Sequence, residues 1–102
     1  MVRAMAIFYA KLTGNRPNFA TTMTPEERTV MAAHGVFLKE QLAAGKLVVA
    51  GPVMDPAGGF GMGVFEAASL EEVQAITRSD PANAVGRYDI IPMGPSTFRN
   101  KP

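Results

Sequence analysis

LVVAGPVM (47–54), DPAGG (55–59) and FGMGVFE (60–66) follow one another in the middle of this 102-residue chain. The first and third stretches are mostly apolar over the length of a strand, and the stretch between them consists of residues that favour turns. This pattern predicts a β-hairpin. The elements on either side of the hairpin then determine the topology.

Two helix starts flank the hairpin. In Thr24-Pro25-Glu26-Glu27, a capping threonine precedes a proline at the first helical position and a glutamate at the third. Apolar residues then recur every three or four residues as far as Ala44, and Gly45 is placed to end the helix. Ser69-Leu70-Glu71-Glu72 repeats the capping pattern and predicts a second helix that ends near Ser79.

The outer strands complete the order β-α-β-β-α-β. Residues 2–10 and 87–93 have the apolar and aromatic content of strands, and turn-forming residues predict a long loop over 11–23. This order predicts an α+β fold, a four-stranded antiparallel sheet with both helices on one face. At this length we expect a single domain, residues 1–94, followed by an irregular tail, residues 95–102.

The strand pattern also predicts that the second face of the sheet is covered. A sheet with one face in water alternates apolar and polar residues, whereas the first strand is apolar on both faces. Its two sets are Val2, Ala4, Ala6 and Phe8, and Met5, Ile7 and Tyr9. Exposing several such side chains would cost about 1.5 to 3 kcal/mol each, so we expect a homodimer joined through the open sheet faces.

Composition excludes several classes of protein. Ten basic and nine acidic residues are spread along the chain and give a net charge of +1, so we expect no nucleic-acid partner. The chain has no cysteine and no apolar run near the roughly 20 residues that cross a bilayer. We expect a cytoplasmic protein with no disulfide, no secretory leader and no membrane segment.

The sequence gives no support for a metal or a cofactor. A metal site would need several clustered ligands, yet the chain contains one histidine and no cysteine. The glycines of residues 58–63 lie in the predicted hairpin and not at the start of a helix, so they do not form a nucleotide-binding loop. We expect a protein that uses neither.

His34, the only histidine, lies inside the first predicted helix. Imidazole exchanges a proton near neutral pH, and a carboxylate beside it would hold one tautomer and stabilise the charged form. A histidine on a helix can equally be bonded to backbone or water with no catalytic role. Spacing alone does not decide between these two interpretations.

Asp80-Pro81 follows the second predicted helix and offers such a carboxylate. An aspartate before proline also caps short turns by accepting the backbone N–H of Ala82 or Asn83. His34 lies nine residues into its helix, about 13 Å along the helical rise, whereas Asp80 is expected near the helix start. The two side chains therefore meet through an inward tilt of the helix, or they are bridged by substrate or water.

The chain carries a series of short motifs: Glu27-Arg28 before His34, LAAGKL (42–47), VAGP (49–52), the glycine hairpin, ASLEE (68–72) and Asp80-Pro81. With these motifs in this order, residues 6–93 resemble the YCII-related (YciI-like) family of the dimeric α/β-barrel group. The resemblance implies a ferredoxin-like subunit, a dimer, and an active site built from His34 and Asp80. A few members of that family eliminate halide from chlorinated aromatic rings, and most have no assigned reaction.

Two features depart from that family. The 11–23 loop is longer than in its short members, and Ala82 follows Asp80-Pro81 where an aromatic residue is common. The pocket near Asp80 is therefore expected to have a different shape. The loop, which carries Arg16, Phe19 and Met23, could close over the site as a lid or pad the surface, and we interpret it as padding.

Together these observations predict a small-molecule enzyme of the lyase or isomerase type. His34 would act as general base or acid, and Asp80 would orient it. The expected reaction is proton abstraction followed by elimination or isomerisation on a small organic molecule whose identity the sequence does not give. The residues expected to bind this substrate are Tyr9, Gly51, Pro52 and Phe60.

Two other functions fit the same residues. A non-catalytic protein could use the dimer cavity to hold a metabolite or to dock another protein, and its His34 would be packed among apolar neighbours without open volume. Cofactor-independent oxygenation, known on related barrels, would need a larger hydrophobic cavity that opens between sheet and helices.

Overall fold

The computed structural model describes residues 5–99 of the chain. Its elements, in chain order, are β1 (Ala6–Gly14), α1 (Phe19–Thr22), α2 (Pro25–Ala43), β2 (Leu47–Val53), β3 (Phe60–Ala67), α3 (Leu70–Arg78), a 3₁₀ turn (Pro81–Ala84) and β4 (Gly86–Met93). The four strands form one antiparallel sheet in the order β2-β3-β1-β4. The predicted α+β fold, with the β2-β3 hairpin at one edge, is confirmed.

Both long helices begin at the caps that the sequence indicated. The Thr24 hydroxyl accepts the Glu27 backbone N–H at 3.1 Å, and the Glu27 carboxylate accepts the Thr24 backbone N–H at 2.9 Å. The Ser69 hydroxyl accepts the Glu72 backbone N–H at 3.2 Å. Gly45, with φ of 75°, follows α2 in the left-handed conformation that glycine adopts most readily. Local signals therefore account for the helix boundaries.

The first strand is displaced along the chain from its predicted position. The sequence predicts residues 2–10, whereas β1 spans Ala6–Gly14, and residues 2–4 lie outside the described residues. Lys11 continues the ladder on both sides, because it pairs with Met62 on β3 and with Asp89 on β4. Pairing with two neighbours outweighs the polar side chain that suggested an early end. The connection to α2 is correspondingly shorter, and it contains the unpredicted helix α1.

Helices α2 and α3 cover the face of the sheet on which the core lies. The buried cluster consists of Phe8, Ala10, Leu47, Phe65, Ala67 and Val73, with Leu38, Leu70 and Ile76 packed against it. Along α2, Phe37 is the buried residue, so much of this long helix stays exposed. Among residues 5–99, no helix has both the length and the apolar character needed to cross a membrane.

The opposite face of the sheet is open, and a row of apolar and aromatic residues crosses it. Tyr9 pairs with Val64 on one side and Ile91 on the other, and Val64 pairs with Val49. These four residues form a row across all four strands, which we call the open-face row. Val49 and Ile91 are 50% and 53% exposed. The strand pattern predicted this second apolar face.

The end of β1 and the start of β4 approach each other closely. Gly14 pairs with Gly86, and a Cβ added to Gly86 would lie 2.5 Å from a backbone oxygen of β1. The Asn15 backbone N–H donates to the Val85 carbonyl at 2.9 Å. These contacts hold the 3₁₀ turn, and Asp80 before it, beside the end of β1.

Candidate active site

Asp80 lies between α3 and the 3₁₀ turn and is 3% exposed. One of its carboxylate oxygens, Oδ1, accepts the Ala82 backbone N–H at 2.8 Å. This is the capping interaction that an Asp-Pro sequence favours. Capping uses only one oxygen, so Oδ2 remains for other donors.

His34 bonds to that second oxygen. Its Nδ1 lies 2.7 Å from Asp80 Oδ2, and the two side chains are 13% and 0% exposed. Residues 15–24 separate β1 from α2, no residue from 25 to 33 is buried, and the 3₁₀ turn packs against α2. The 3₁₀ turn thus places Asp80 against the middle of α2, where His34 lies. Of the two arrangements that the sequence left open, the structure shows direct contact.

A third side chain, that of Tyr88 on β4, reaches the same carboxylate. Its hydroxyl donates a hydrogen bond to Asp80 Oδ2. Tyr88 lies on the helix-covered face of the sheet, because it pairs with the core residue Leu12. Tyr88 was not among the site residues predicted from the sequence. The available signal was its alternation with Ile90 on a strand that starts soon after Asp80.

These contacts determine the ionisation of Asp80 and Tyr88. Burial raises the pKa of the Asp80 carboxyl, but hydrogen bonds from His34, Tyr88 and the Ala82 backbone outweigh burial and leave this pKa below its ordinary value. Burial and the neighbouring carboxylate raise the pKa of the Tyr88 hydroxyl, so Tyr88 remains a donor. Because an ionised carboxylate only accepts hydrogen bonds, the proton of neutral His34 lies on Nδ1. Nε2 then carries a lone pair.

His34 and Tyr88 line a cavity of about 930 Å³ bounded by the sheet, α2 and the segment after β1. Much of its wall is apolar and includes Leu12, Phe19, Met23, Met31, Leu38 and Val85. Nε2 of His34 makes no hydrogen bond to any residue that the structure describes. This nitrogen is therefore available to a small molecule in the cavity.

Three of the four predicted substrate-binding residues lie at this cavity. Gly51, Pro52 and Phe60 line it together with His34. Tyr9 belongs to the open-face row and is not among the lining residues. Alternation along β1 turns Tyr9 away from the helices, so the structure separates it from the pocket that it was predicted to line.

Residues 15–24 form part of the cavity wall and are not surface padding. Arg16, Phe19 and Met23 all line the cavity. The Arg16 guanidinium donates two hydrogen bonds of 2.9 Å to the Glu27 carboxylate on α2 and lies 5.2 Å from the centre of the Phe19 ring. The hydrogen bonds from Arg16 hold the pKa of Glu27 at about 2, so this pair is ionised at neutral pH. The connection between β1 and α2 thus shapes the site.

The geometry supports proton transfer. When Nε2 of His34 accepts a proton, the buried Asp80 carboxylate stabilises the imidazolium. A largely apolar cavity strengthens this attraction because it lowers the local dielectric constant. Within residues 5–99, no three histidine, cysteine, aspartate or glutamate side chains cluster in a way that could hold a metal ion.

Comparison with protein-family models matches residues 7–95 to the YCII-related domain. The chain belongs to the YCII-related family. This match confirms the resemblance to the YCII-related family that was inferred from the sequence motifs. In this YCII-related protein, His34, Asp80 and Tyr88 all lie within the matched residues. A comparison with curated protein sequences found no match.

Solved structures show related architecture. The 5-chloro-2-hydroxyhydroquinone dehydrochlorinase TftG from Burkholderia phenoliruptrix AC1100, in complex with 2,5-dihydroxybenzoquinone, has a TM-score of 0.57 and 18% identity, covering 92% of this chain and 95% of that one. The cofactor-independent oxygenase SnoaB from Streptomyces nogalater has a TM-score of 0.48 and 9% identity, covering 95% and 98%. A dimeric ferredoxin-like protein from an uncultured marine organism has a TM-score of 0.48 and 12% identity, covering 96% of each chain. The likeness to TftG shows a shared fold, and the predicted ferredoxin-like fold of this YCII-related protein is confirmed.

Proposed function

We propose that this protein is a small-molecule enzyme of the lyase or isomerase type, with His34 as general base and acid and Asp80 as the residue that orients it. The observation that carries the proposal is the 2.7 Å contact between His34 Nδ1 and the buried Asp80 Oδ2, beside a cavity of about 930 Å³. A buried carboxylate costs stability unless it is well paired. Such a pair at a cavity is typical of catalytic sites.

In the reaction we propose, Nε2 of His34 removes a proton from the substrate and Asp80 stabilises the resulting imidazolium. The electron pair left on the substrate then expels a leaving group from the neighbouring atom, or it shifts a double bond. His34 finally returns the proton to the leaving group or to a different atom of the substrate. Both outcomes are balanced without an added oxidant or reductant.

The cavity wall favours a substrate with a substantial apolar part. Gly51 and Pro52 bring the edge strand against the cavity, and Phe19, Met31 and Leu38 add apolar side chains to its wall. The name of TftG describes a dehydrochlorinase, which performs an elimination. Because this YCII-related chain shares its fold, elimination from a substituted ring is the first reaction to test.

We also propose that two copies of the chain associate through the open face of the sheet. The open-face row crosses all four strands, and Met93, two residues along β4 from Ile91, is 41% exposed. A contiguous apolar surface of this kind marks an association site. A two-fold axis would place the same row on both sides of the interface.

Solvent deuterium exchange tests the proposed enzyme without knowledge of its natural substrate. The protein is incubated in D₂O with small hydroxylated and halogenated aromatic compounds and small keto acids, and mass spectrometry follows deuterium uptake and loss of leaving group. We expect protein-dependent conversion of at least one compound, slowed about 10²- to 10⁴-fold by His34→Ala. Lys39→Ala, at an exposed position of α2, is the control and should keep the wild-type rate. Equal rates for wild type and His34→Ala would contradict the proposal.

A cavity of about 930 Å³ with a largely apolar wall is also compatible with cofactor-independent oxygenation. That reaction consumes dioxygen, whereas elimination and isomerisation do not. Oxygen uptake during conversion, measured with an electrode, therefore separates the two reactions. A purely binding role fits the structure less well, because open volume lies beside His34.

A further inference from the structure

Two donors share one oxygen of Asp80. His34 Nδ1 lies 2.7 Å from Oδ2, and the Tyr88 hydroxyl donates to the same atom, while Oδ1 accepts the Ala82 backbone N–H. The three donors come from α2, β4 and the 3₁₀ turn. A carboxylate oxygen that accepts from two donors holds each of them less strongly than it would hold one. The hold of Asp80 on protonated His34 therefore depends on Tyr88.

We propose that Tyr88 is a positioning residue that tunes His34, because its hydroxyl competes for Asp80 Oδ2 and so weakens the hold of the carboxylate on the imidazolium. This inference rests on the proposed function, in which His34 takes up a proton and gives it back. A base held too strongly in its protonated form would keep the proton, whereas acid and base catalysis needs exchange in both directions at the working pH.

No other ionisable side chain described by the structure bonds to this group of residues. The 3₁₀ turn and β2, which pack against α2, contain no ionisable residue, and the residues one turn from His34 on α2 are all apolar. The charged residues that line the cavity have other contacts. Arg16 binds Glu27, Asp55 caps its own turn, and the Lys11 ammonium lies 4.4 Å from the centre of the Phe60 ring.

The single histidine makes the proposal directly measurable. An NMR pH titration of the His34 ring protons gives one midpoint for each variant and needs no substrate. In Tyr88→Phe we expect the midpoint to lie about 0.5 to 1 pH unit above that of the wild type, because Oδ2 then serves His34 alone. Tyr9→Phe removes the only other tyrosine hydroxyl, on the opposite face of the sheet, and should leave the midpoint unchanged.

A second probe keeps Tyr88 in place. Incorporation of 3-fluorotyrosine into the Tyr9→Phe protein labels Tyr88 alone and makes its hydroxyl a stronger donor, so the midpoint should move to lower pH. If either shift is missing or reversed in protein that is folded by circular dichroism, the inference is overturned. The proposed function fails separately, through equal deuterium exchange by wild type and His34→Ala. An unmoved midpoint with normal exchange would refute only the role of Tyr88.

Discussion

Replacing Asp80 with alanine is expected to lower the free energy of unfolding by about 2 to 5 kcal/mol. The change removes the acceptor for His34, Tyr88 and the Ala82 backbone N–H at a side chain with 0% exposure. His34 can recover part of the loss by bonding to water in the cavity, whereas the Ala82 N–H is buried with its residue. Urea denaturation at pH 7 measures the effect.

Two further variants serve as comparisons for the effect of Asp80→Ala on the free energy of unfolding. Asp80→Asn keeps an acceptor for Ala82 but loses the charge, so its effect should be intermediate. Asp89→Ala removes a carboxylate from the neighbouring strand that is 51% exposed and 3.6 Å from Arg87, and should change stability by about 0.5 kcal/mol or less. An Asp80→Ala protein as stable as Asp89→Ala would show that the buried group does not hold the site together.

The same carboxylate gives stability a pH dependence of defined sign. Because the pKa of Asp80 is lower in the folded protein than its ordinary value of about 3.9, its contribution is complete above that value. The contribution of Asp80 to stability is lost as the pH falls through the lower pKa that this carboxyl has in the folded protein. The wild type should therefore lose more stability than Asp80→Asn when the pH is lowered below about 4.

Ile91→Asp is expected to convert a dimer into a monomer. Ile91 lies in the open-face row and is 53% exposed in the single chain. Burying an isoleucine contributes about 1.5 to 3 kcal/mol, and a two-fold interface counts each position twice. Loss of both contributions weakens association by about 10²-fold or more, before the cost of burying two carboxylates is added.

Sedimentation velocity at micromolar concentration measures this association. Val36→Asp is the matched control, since it makes the same type of change at an apolar residue that is 58% exposed on α2, in the helix layer. It should leave the mass unchanged. A wild type that sediments as a monomer, or an Ile91→Asp protein that remains a dimer, would contradict the proposed interface.

Local signals made most of the fold predictable. Thr24 and Ser69 act as caps through bonds within four residues of sequence, and Gly45 ends α2 by its own backbone preference. The displacement of β1 had no such local signal. Lys11 belongs to the strand because β3 and β4 lie on either side of it, and those pairings join residues far apart in the chain. Helix α1 has only four residues, too few to show a helical periodicity in the sequence, and Asn18 makes no side-chain cap to it.

The candidate site was predictable in its residue types but not in its arrangement. His34 and Asp80 were selected as a pair, yet helical rise alone suggested that they were too far apart for direct contact. Their contact depends on the packing of the 3₁₀ turn against the middle of α2, which spacing along the chain does not encode. The positions of the two tyrosines could not be predicted from the sequence for a similar reason. Tyr88 points to the helices and Tyr9 away from them, and only the strand register assigns each to a face.

The central claim is that a substrate is deprotonated by Nε2 of His34 while Asp80 holds the other ring nitrogen. A crystal structure of the protein soaked with a compound that exchanges deuterium tests it most directly. The claim predicts density for that compound in the cavity, with the exchanging atom within about 3.5 Å of Nε2 and the contact between Nδ1 and Asp80 retained. Density for the compound only at a site remote from Nε2 would contradict it.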